Sequence, residues 1–267
     1  MSANTLLLGL AAGYHYGDVA PFLRSLERVQ FAGTCVLFVS ETTRDTERMA
    51  AHGAVIIPME RPDDLAHVSY NAYRYYLYLE YLQQAGPFEH VMIADVRDVL
   101  FQRDPFAYAW GRGLHCALED EGMTIGSCPF NSRWVQGHMG EDALAAVSSH
   151  TISCSGTTVG DHESMVEYLE RMTSRFLPFA GGECMGGFDQ GVHNVLIRTD
   201  LLPDVTLHEN GNPILTLGYY PGEPPLNEAG EVLNDRGEVA HIVHQYDRKP
   251  ELFRRVREQF AWTKNAD

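Results

Sequence analysis

His90-Val91-Met92-Ile93-Ala94-Asp95-Val96-Arg97-Asp98-Val99-Leu100-Phe101 is the stretch on which the fold turns. An apolar run of buried-strand type ends abruptly in two carboxylates three positions apart, where the chain leaves a sheet. Open α/β sheets bind their ligands at the carboxyl ends of strands. Hard oxygen donors suit magnesium and manganese, which makes Asp95 and Asp98 a candidate seat for a divalent cation. The plainer reading is a carboxylate that caps the next turn. Arg97, between the two acids, can pair with one of them and hold it ionised, while Phe101 and the turn Asp104-Pro105-Phe106 brace the loop.

Upstream, the pattern alternates strand and helix. Leu6 to Leu10 reads as a first strand, followed by a loop punctuated by Gly13 and Gly17. A helix is predicted from Pro21 to Val29, with proline in its first turn. Cys35 to Val39 reads as a strand, Thr43 to His52 as a helix and Ala54 to Pro58 as a strand. Such β-α-β-α-β order points to a mostly parallel central sheet flanked by helices, an α/β fold. Ser69 to Leu82 carries aromatic residues at helical spacing, with Tyr73, Leu77 and Tyr81 on one stripe and Tyr70, Arg74 and Tyr78 on the next. Gly86-Pro87 then breaks the chain before the strand that ends at Asp95.

Downstream, Leu114 to Glu119 reads as a strand and Ser164 to Phe176 as an amphipathic helix, with Asp161 near its start. A helix over Asp189 to Ile197 is opened by Asp189. Ser153 to Thr158 reads as a small-residue turn. Val205 to His208 and Ile214 to Leu217, joined through Asn210-Gly211, read as a hairpin. A second hairpin surrounds Asn234-Asp235-Arg236-Gly237 and leads into Val239 to His244, so that C-terminal hairpins complete one domain.

With 267 residues, 45% of them hydrophobic, the chain can bury a full core. Lys plus Arg number 20 and Asp plus Glu 36, a net charge of −16 that argues against an extended nucleic-acid footprint or an anionic membrane surface. A phosphorylated substrate then needs a metal or a small basic cluster. Five scattered cysteines without CxxC spacing suggest neither a disulfide framework nor zinc, and they fit a reducing cytoplasm. No run approaches the ~18 apolar residues of a membrane span. His138, His150, His162, His193, His208 and His241 form no second metal set by spacing.

Asp95-Val-Arg-Asp98 after its strand resembles the Asp-x-Asp motif of GT-A glycosyltransferases, with the second acid displaced by one position. Tyr73-Arg74, Asp189-Gln190 with Asn194, and His244 followed by Lys249-Pro250 resemble, in the same order, motifs of the glycogenin and bacterial galactosyltransferase group. The distance from His244 to Lys249 is one residue shorter than in that group, and no tryptophan follows Pro250. The resemblance implies a GT-A, Rossmann-like fold in one domain over 1–267, with about 1–110 as nucleotide-binding half and about 111–267 as sugar- and acceptor-binding half. It implies a hexosyltransferase that uses a UDP-linked sugar donor and Mn2+ or Mg2+ held by Asp95, Asp98 and His244. Arg74 would touch the donor, and Arg248 or Lys249 the phosphates. Asp189 and Gln190 would lie beside the transferred sugar. If the reaction inverts, Asp189 is the base; if it retains, which the resemblance favours, Asp189 or Gln190 orients the sugar.

The loop after the first strand would receive the nucleoside. Ala11 and Gly13 allow close backbone approach there, and Tyr14 or Tyr16 can stack on a pyrimidine. The acceptor, whether glycan, lipid-linked sugar or small molecule, is set by loops that vary independently of the scaffold. Two rival classes fit the same pattern. One is a nucleotidyltransferase acting on a sugar phosphate, for which the loop after the first strand lacks an arginine. The other is a catalytically silent nucleotide-sugar-binding module.

Overall fold

The computed structural model describes residues 4–179, 181–199 and 201–260. In chain order the elements are β1 (Thr5–Leu10), α1 (Tyr16–Arg28), β2 (Thr34–Val39), α2 (Thr46–Ala51), β3 (Val55–Pro58), α3 (Tyr70–Gln84) and β4 (His90–Ala94). There follow β5 (Val99–Phe101), β6 (Leu114–Leu118), α4 (Pro129–Met139), α5 (Glu141–Val147), β7 (Ser153–Gly160), α6 (His162–Thr173) and α7 (Phe188–Leu196). The last are β8 (Val205–His208), β9 (Ile214–Thr216), β10 (Ile242–His244) and α8 (Pro250–Gln259). A mixed, mostly parallel sheet of seven strands has the order β3-β2-β1-β4-β7-β6-β8, and β5-β10-β9 form a small second sheet. The α/β class read from the alternating pattern is the class observed. No helix among the described residues is long and apolar enough to cross a membrane. All five cysteines are free thiols.

The chain divides into two compact units, each assembled from separated segments. Met1–Glu60, Ile93–Ala109 and Glu209–Asp267 make the first; Arg61–Met92 and Trp110–His208 make the second. In the first unit, β1 pairs in parallel with β2 and β2 with β3, and Leu6, Leu7 and Leu8 are fully buried. Burial of each such leucine stabilises the fold by about 1.5–3 kcal/mol. In the second unit, β6 pairs antiparallel with β7 and parallel with β8.

Several local expectations are corrected. The first helix starts five residues before Pro21, because His15 and Asp18 form a reciprocal cap in which each side chain accepts from the other's end of the turn. Pro21 therefore lies inside α1 and has no N–H for the carbonyl of Gly17. That carbonyl instead accepts from the Arg257 guanidinium. The second helix is confined to Thr46–Ala51, since the Thr43 hydroxyl is turned back to the carbonyl of Ala11 at 2.8 Å and Asp45 is left-handed. Ser153 to Thr158 is no turn but the first part of β7, its small polar side chains buried.

The expected hairpin over 205–217 does not form. Its arms join different sheets, Val205–His208 beside β6 and Ile214–Thr216 beside β10. The Asn210 side chain reaches on to the backbone of Thr216, accepting from its N–H at 2.7 Å and donating to its carbonyl at 3.0 Å. The turn at 234–237 is present, with Asn234 Oδ1 accepting from the N–H groups of Arg236 and Glu238 and Leu233 bridging Val239.

Candidate metal centre

Three backbone events bring the acids and the histidine together. β4 stops at Ala94, so Asp95 is the first residue beyond it, and Asp98 immediately precedes β5. β5 pairs antiparallel with β10 in a register that sets His244 opposite Val99. Gln245 then adopts a left-handed conformation and turns the chain away after the histidine. β5 is itself anchored, its Phe101 N–H donating to the buried Ser25 hydroxyl of α1 at 3.1 Å.

One ligand atom from each of Asp95, Asp98 and His244 lies within 4.8 Å of the other two. His244 Nε2 is 3.5 Å from Asp95 Oδ2, the imidazole fully buried and the Asp95 side chain 32% exposed. Burial, together with the neighbouring carboxylates Asp95 and Asp247, pushes Asp98 up to about 6 against the opposing pull of His244 and Arg97. Carboxylates crowded enough to suppress one another's ionisation are relieved by a cation between them. The donor set, two carboxylate oxygens and an imidazole nitrogen, fits a divalent ion.

Arg97 does not pair with either flanking acid. Its guanidinium donates to Asp247 Oδ2 at 2.9 Å, and the Tyr246 hydroxyl donates to its backbone carbonyl at 2.8 Å. Arg248 Nε lies 3.6 Å from the other oxygen of Asp247 and its side chain is 63% exposed. Lys249 is the other residue expected at the phosphates. It is buried at the start of α8, with Nζ donating to the carbonyl of Tyr220.

In the loop after β1, Ala11 is fully buried, and Gly13, at φ +73°, donates its N–H to the Ser40 hydroxyl at 2.9 Å. Tyr14 is partly exposed. Tyr16 is a core residue of α1, its hydroxyl 2.7 Å from His52 Nε2, its ring stacked on that imidazole and flanked by Arg48. Burial raises its hydroxyl above the ordinary tyrosine range. That leaves Tyr14 as the more accessible ring of the two.

The second unit holds a separate buried polar cluster built from the other expected residues. Arg74 of α3 and Asp189 of α7 face each other at 3.6 Å, with side chains 10% and 3% exposed, and the Ser155 hydroxyl approaches the same Asp189 oxygen at 3.4 Å. Asp189 does not cap α7, whose N-cap is Gly187. Gln190 is engaged at both ends of its amide: Nε2 donates to Asn131 Oδ1 at 3.0 Å, and Oε1 accepts from the Cys154 thiol at 3.2 Å. Asn194 is clamped to Ser153 through both amide ends, at 2.9 and 2.8 Å.

Sequence reasoning missed Asp247, whose only signal was an acid two positions before a lysine. It also missed Asn131 and the role of Gly9, which lies against Val96 of the metal loop. The chain matches no protein-family model, and no curated protein matches it.

Proposed function

We propose that this chain is a metal-dependent glycosyltransferase of GT-A type that moves a hexose from a nucleotide diphosphate sugar, with uridine as nucleoside, to a hydroxyl acceptor. The observation that carries the reading is the convergence of Asp95, Asp98 and His244 beyond the carboxyl end of β4. These are the residues that the resemblance to the glycogenin and bacterial galactosyltransferase group assigns to one cation. Bound Mn2+ or Mg2+ supplies Lewis acidity where charge develops on the departing diphosphate. Asp95, Asp98 and His244 hold that ion, and the exposed Arg248 meets phosphate oxygens. The backbone at the exposed Gly13 admits the nucleoside, with Tyr14 as its stacking ring.

Arg74 and Asp189 are the side chains assigned to the transferred sugar, and Gln190 fixes α7 against α4 and β7 so that Asp189 keeps its place. A carboxylate enclosed by an arginine and a serine suits orientation of a sugar better than removal of a proton, in keeping with retention of configuration.

Thermal unfolding with a panel of nucleoside diphosphates and their sugars, in Mn2+ and in chelator, tests the reading. A manganese-dependent rise in Tm with UDP or a UDP-hexose is expected. No shift with any nucleotide overturns the donor assignment. A shift confined to nucleoside triphosphates favours nucleotidyl transfer.

A further inference from the structure

We propose that Phe130 and Trp134 of α4 form an aromatic platform on which the acceptor lays one face of a β-linked pyranose ring. The two rings stand one helical turn apart, with centroids separated by 6.1 Å and planes tilted by 39°. Phe130 is 51% exposed, more than any other large apolar residue among those described. A single exposed apolar side chain is ordinary on a protein surface. One that continues into a second, half-buried ring makes a patch, and patches mark binding sites.

Trp134 is a fixed surface. Its indole N–H donates to the carbonyl of Cys184 at 2.7 Å. Its ring lies against Gly187, where a Cβ would stand 2.6 Å from Cζ2 and Cη2. Its backbone lies against Gly191, where a Cβ would stand 3.1 Å from Trp134 Cβ. Two glycines, one at the N-cap of α7 and one within it, thus give the tryptophan its seat.

Position selects the acceptor as occupant. Asn131, next to Phe130, accepts from Gln190 Nε2 at 3.0 Å, so the turn that bears the platform is bonded to the residue beside Asp189. From the other side Ser69 Oγ and Asn71 Nδ2 donate to the carbonyl of Gly186 at 3.1 and 3.2 Å, which ties the start of α3, the helix of Arg74, to the same loop. The loop Cys184-Met185-Gly186-Gly187 therefore joins the platform to Arg74 and Asp189, the side chains assigned to the transferred sugar. All of these residues belong to the second unit. The inference rests on the glycosyltransferase reading for the role of the bound sugar as acceptor, but not for sugar binding itself.

The rings also select among sugars. Aromatic faces carry partial negative charge and attract C–H groups polarised by neighbouring oxygens. In the β-pyranosides of glucose and galactose the axial hydrogen at the anomeric carbon joins two others on one face of the ring. The α-anomer puts its glycosidic oxygen there instead. The platform therefore favours β- over α-pyranosides.

Saturation-transfer NMR on the full chain, with methyl α- and β-pyranosides of glucose and galactose and with or without UDP and Mn2+, tests the platform. Transfer concentrated on the axial hydrogens of the β-anomers is expected, with the α-anomers weaker. Phe130→Ala should weaken β-pyranoside binding about fivefold, the order that loss of one aromatic contact implies, and Phe130→Tyr should restore it. The Tm of Phe130→Ala should hold, since the ring is exposed. Gly187→Ala, whose Cβ displaces the indole, should weaken binding without altering either ring. Equal response to both anomers, no pyranoside signal in any condition, or a signal unchanged in Phe130→Ala and Gly187→Ala overturns the platform. So does binding of octyl β-glucopyranoside through its alkyl chain without the methyl glycosides, which marks a lipid surface. Phe130-dependent sugar binding in a chain that no UDP-sugar stabilises upholds the platform and refutes the donor reading. A UDP-sugar response without Phe130-dependent sugar binding does the reverse.

Discussion

His193 sits wholly inside the second unit with a hydrogen-bond pattern that suits its neutral form. The Ser153 hydroxyl spends its proton on the carbonyl of Ala117, so it accepts from His193 Nε2 at 3.0 Å. Nδ1 is then left to accept from the Tyr168 hydroxyl at 2.7 Å. Burial, with Arg198 and Arg74 adding to it, lowers this histidine to about 3. An unfolded chain takes up the proton near pH 6.5. Stability is therefore intact above that pH and falls as pH drops from about 6.5 toward about 3, with a slope of up to about 1.4 kcal/mol per unit. Urea unfolding of the parent and His193→Gln at pH 7 and pH 5 should show a smaller pH dependence in the variant; equal slopes would refute the assignment. At this scale the sequence disclosed residue types but not their partners. Asp95, Asp98 and His244 were legible because chemistry and strand position agreed. The partner of Lys249 was not legible, because a lysine before a proline looks the same whether its ammonium meets phosphate or the carbonyl of Tyr220.

The seating of β1 against the metal loop is an effect of elements. A Cβ on Gly9 would stand 2.3 Å from Val96 Cγ1 and 3.1 Å from Leu37 Cδ2, closer than atoms pack. Val96 is buried between Asp95 and Arg97. Gly9→Ala should thus cost about 1–3 kcal/mol in stability and displace the loop, weakening Mn2+ binding without altering a ligand. Gly186→Ala, which meets no atom within 4 Å, is the control. Unchanged Mn2+ affinity in folded Gly9→Ala would refute the coupling. Elements with a clear apolar period, such as β1, β4 and α3, were legible within a few residues. β7 was not, because its buried residues are small and polar: Ser153 and Ser155 find partners that no periodicity reveals, while the hydroxyls of Thr157 and Thr158 are buried without one. Asn210-Gly211 misled in another way: the asparagine builds its own turn to Thr216 and carries the chain out of one sheet into another.

At the scale of the whole molecule, a net charge of −16 and a group of carboxylates that could hold a metal ion set the expectation that the fold responds to divalent ions. Mn2+ at a hundredfold over its Kd should stabilise the native state by about 2.7 kcal/mol, since an ion that binds only the folded form shifts unfolding by mass action. Asp98→Ala should abolish that increment and Asp95→Ala most of it, each read as the difference in unfolding midpoint with Mn2+ and with chelator. An undiminished increment in both would remove the acids from the centre. The chemistry of the centre could be read from the chain, but its closure could not, because it depends on the pairing of β5 with β10. Arg97 and Asp247 stand 150 positions apart. At about 5–20 residues per second of synthesis, a nascent chain carries both acids of the metal loop for on the order of ten seconds before its imidazole exists. On the proposed reading, cation affinity is then a property that the growing polypeptide acquires late, on the emergence of one three-residue strand.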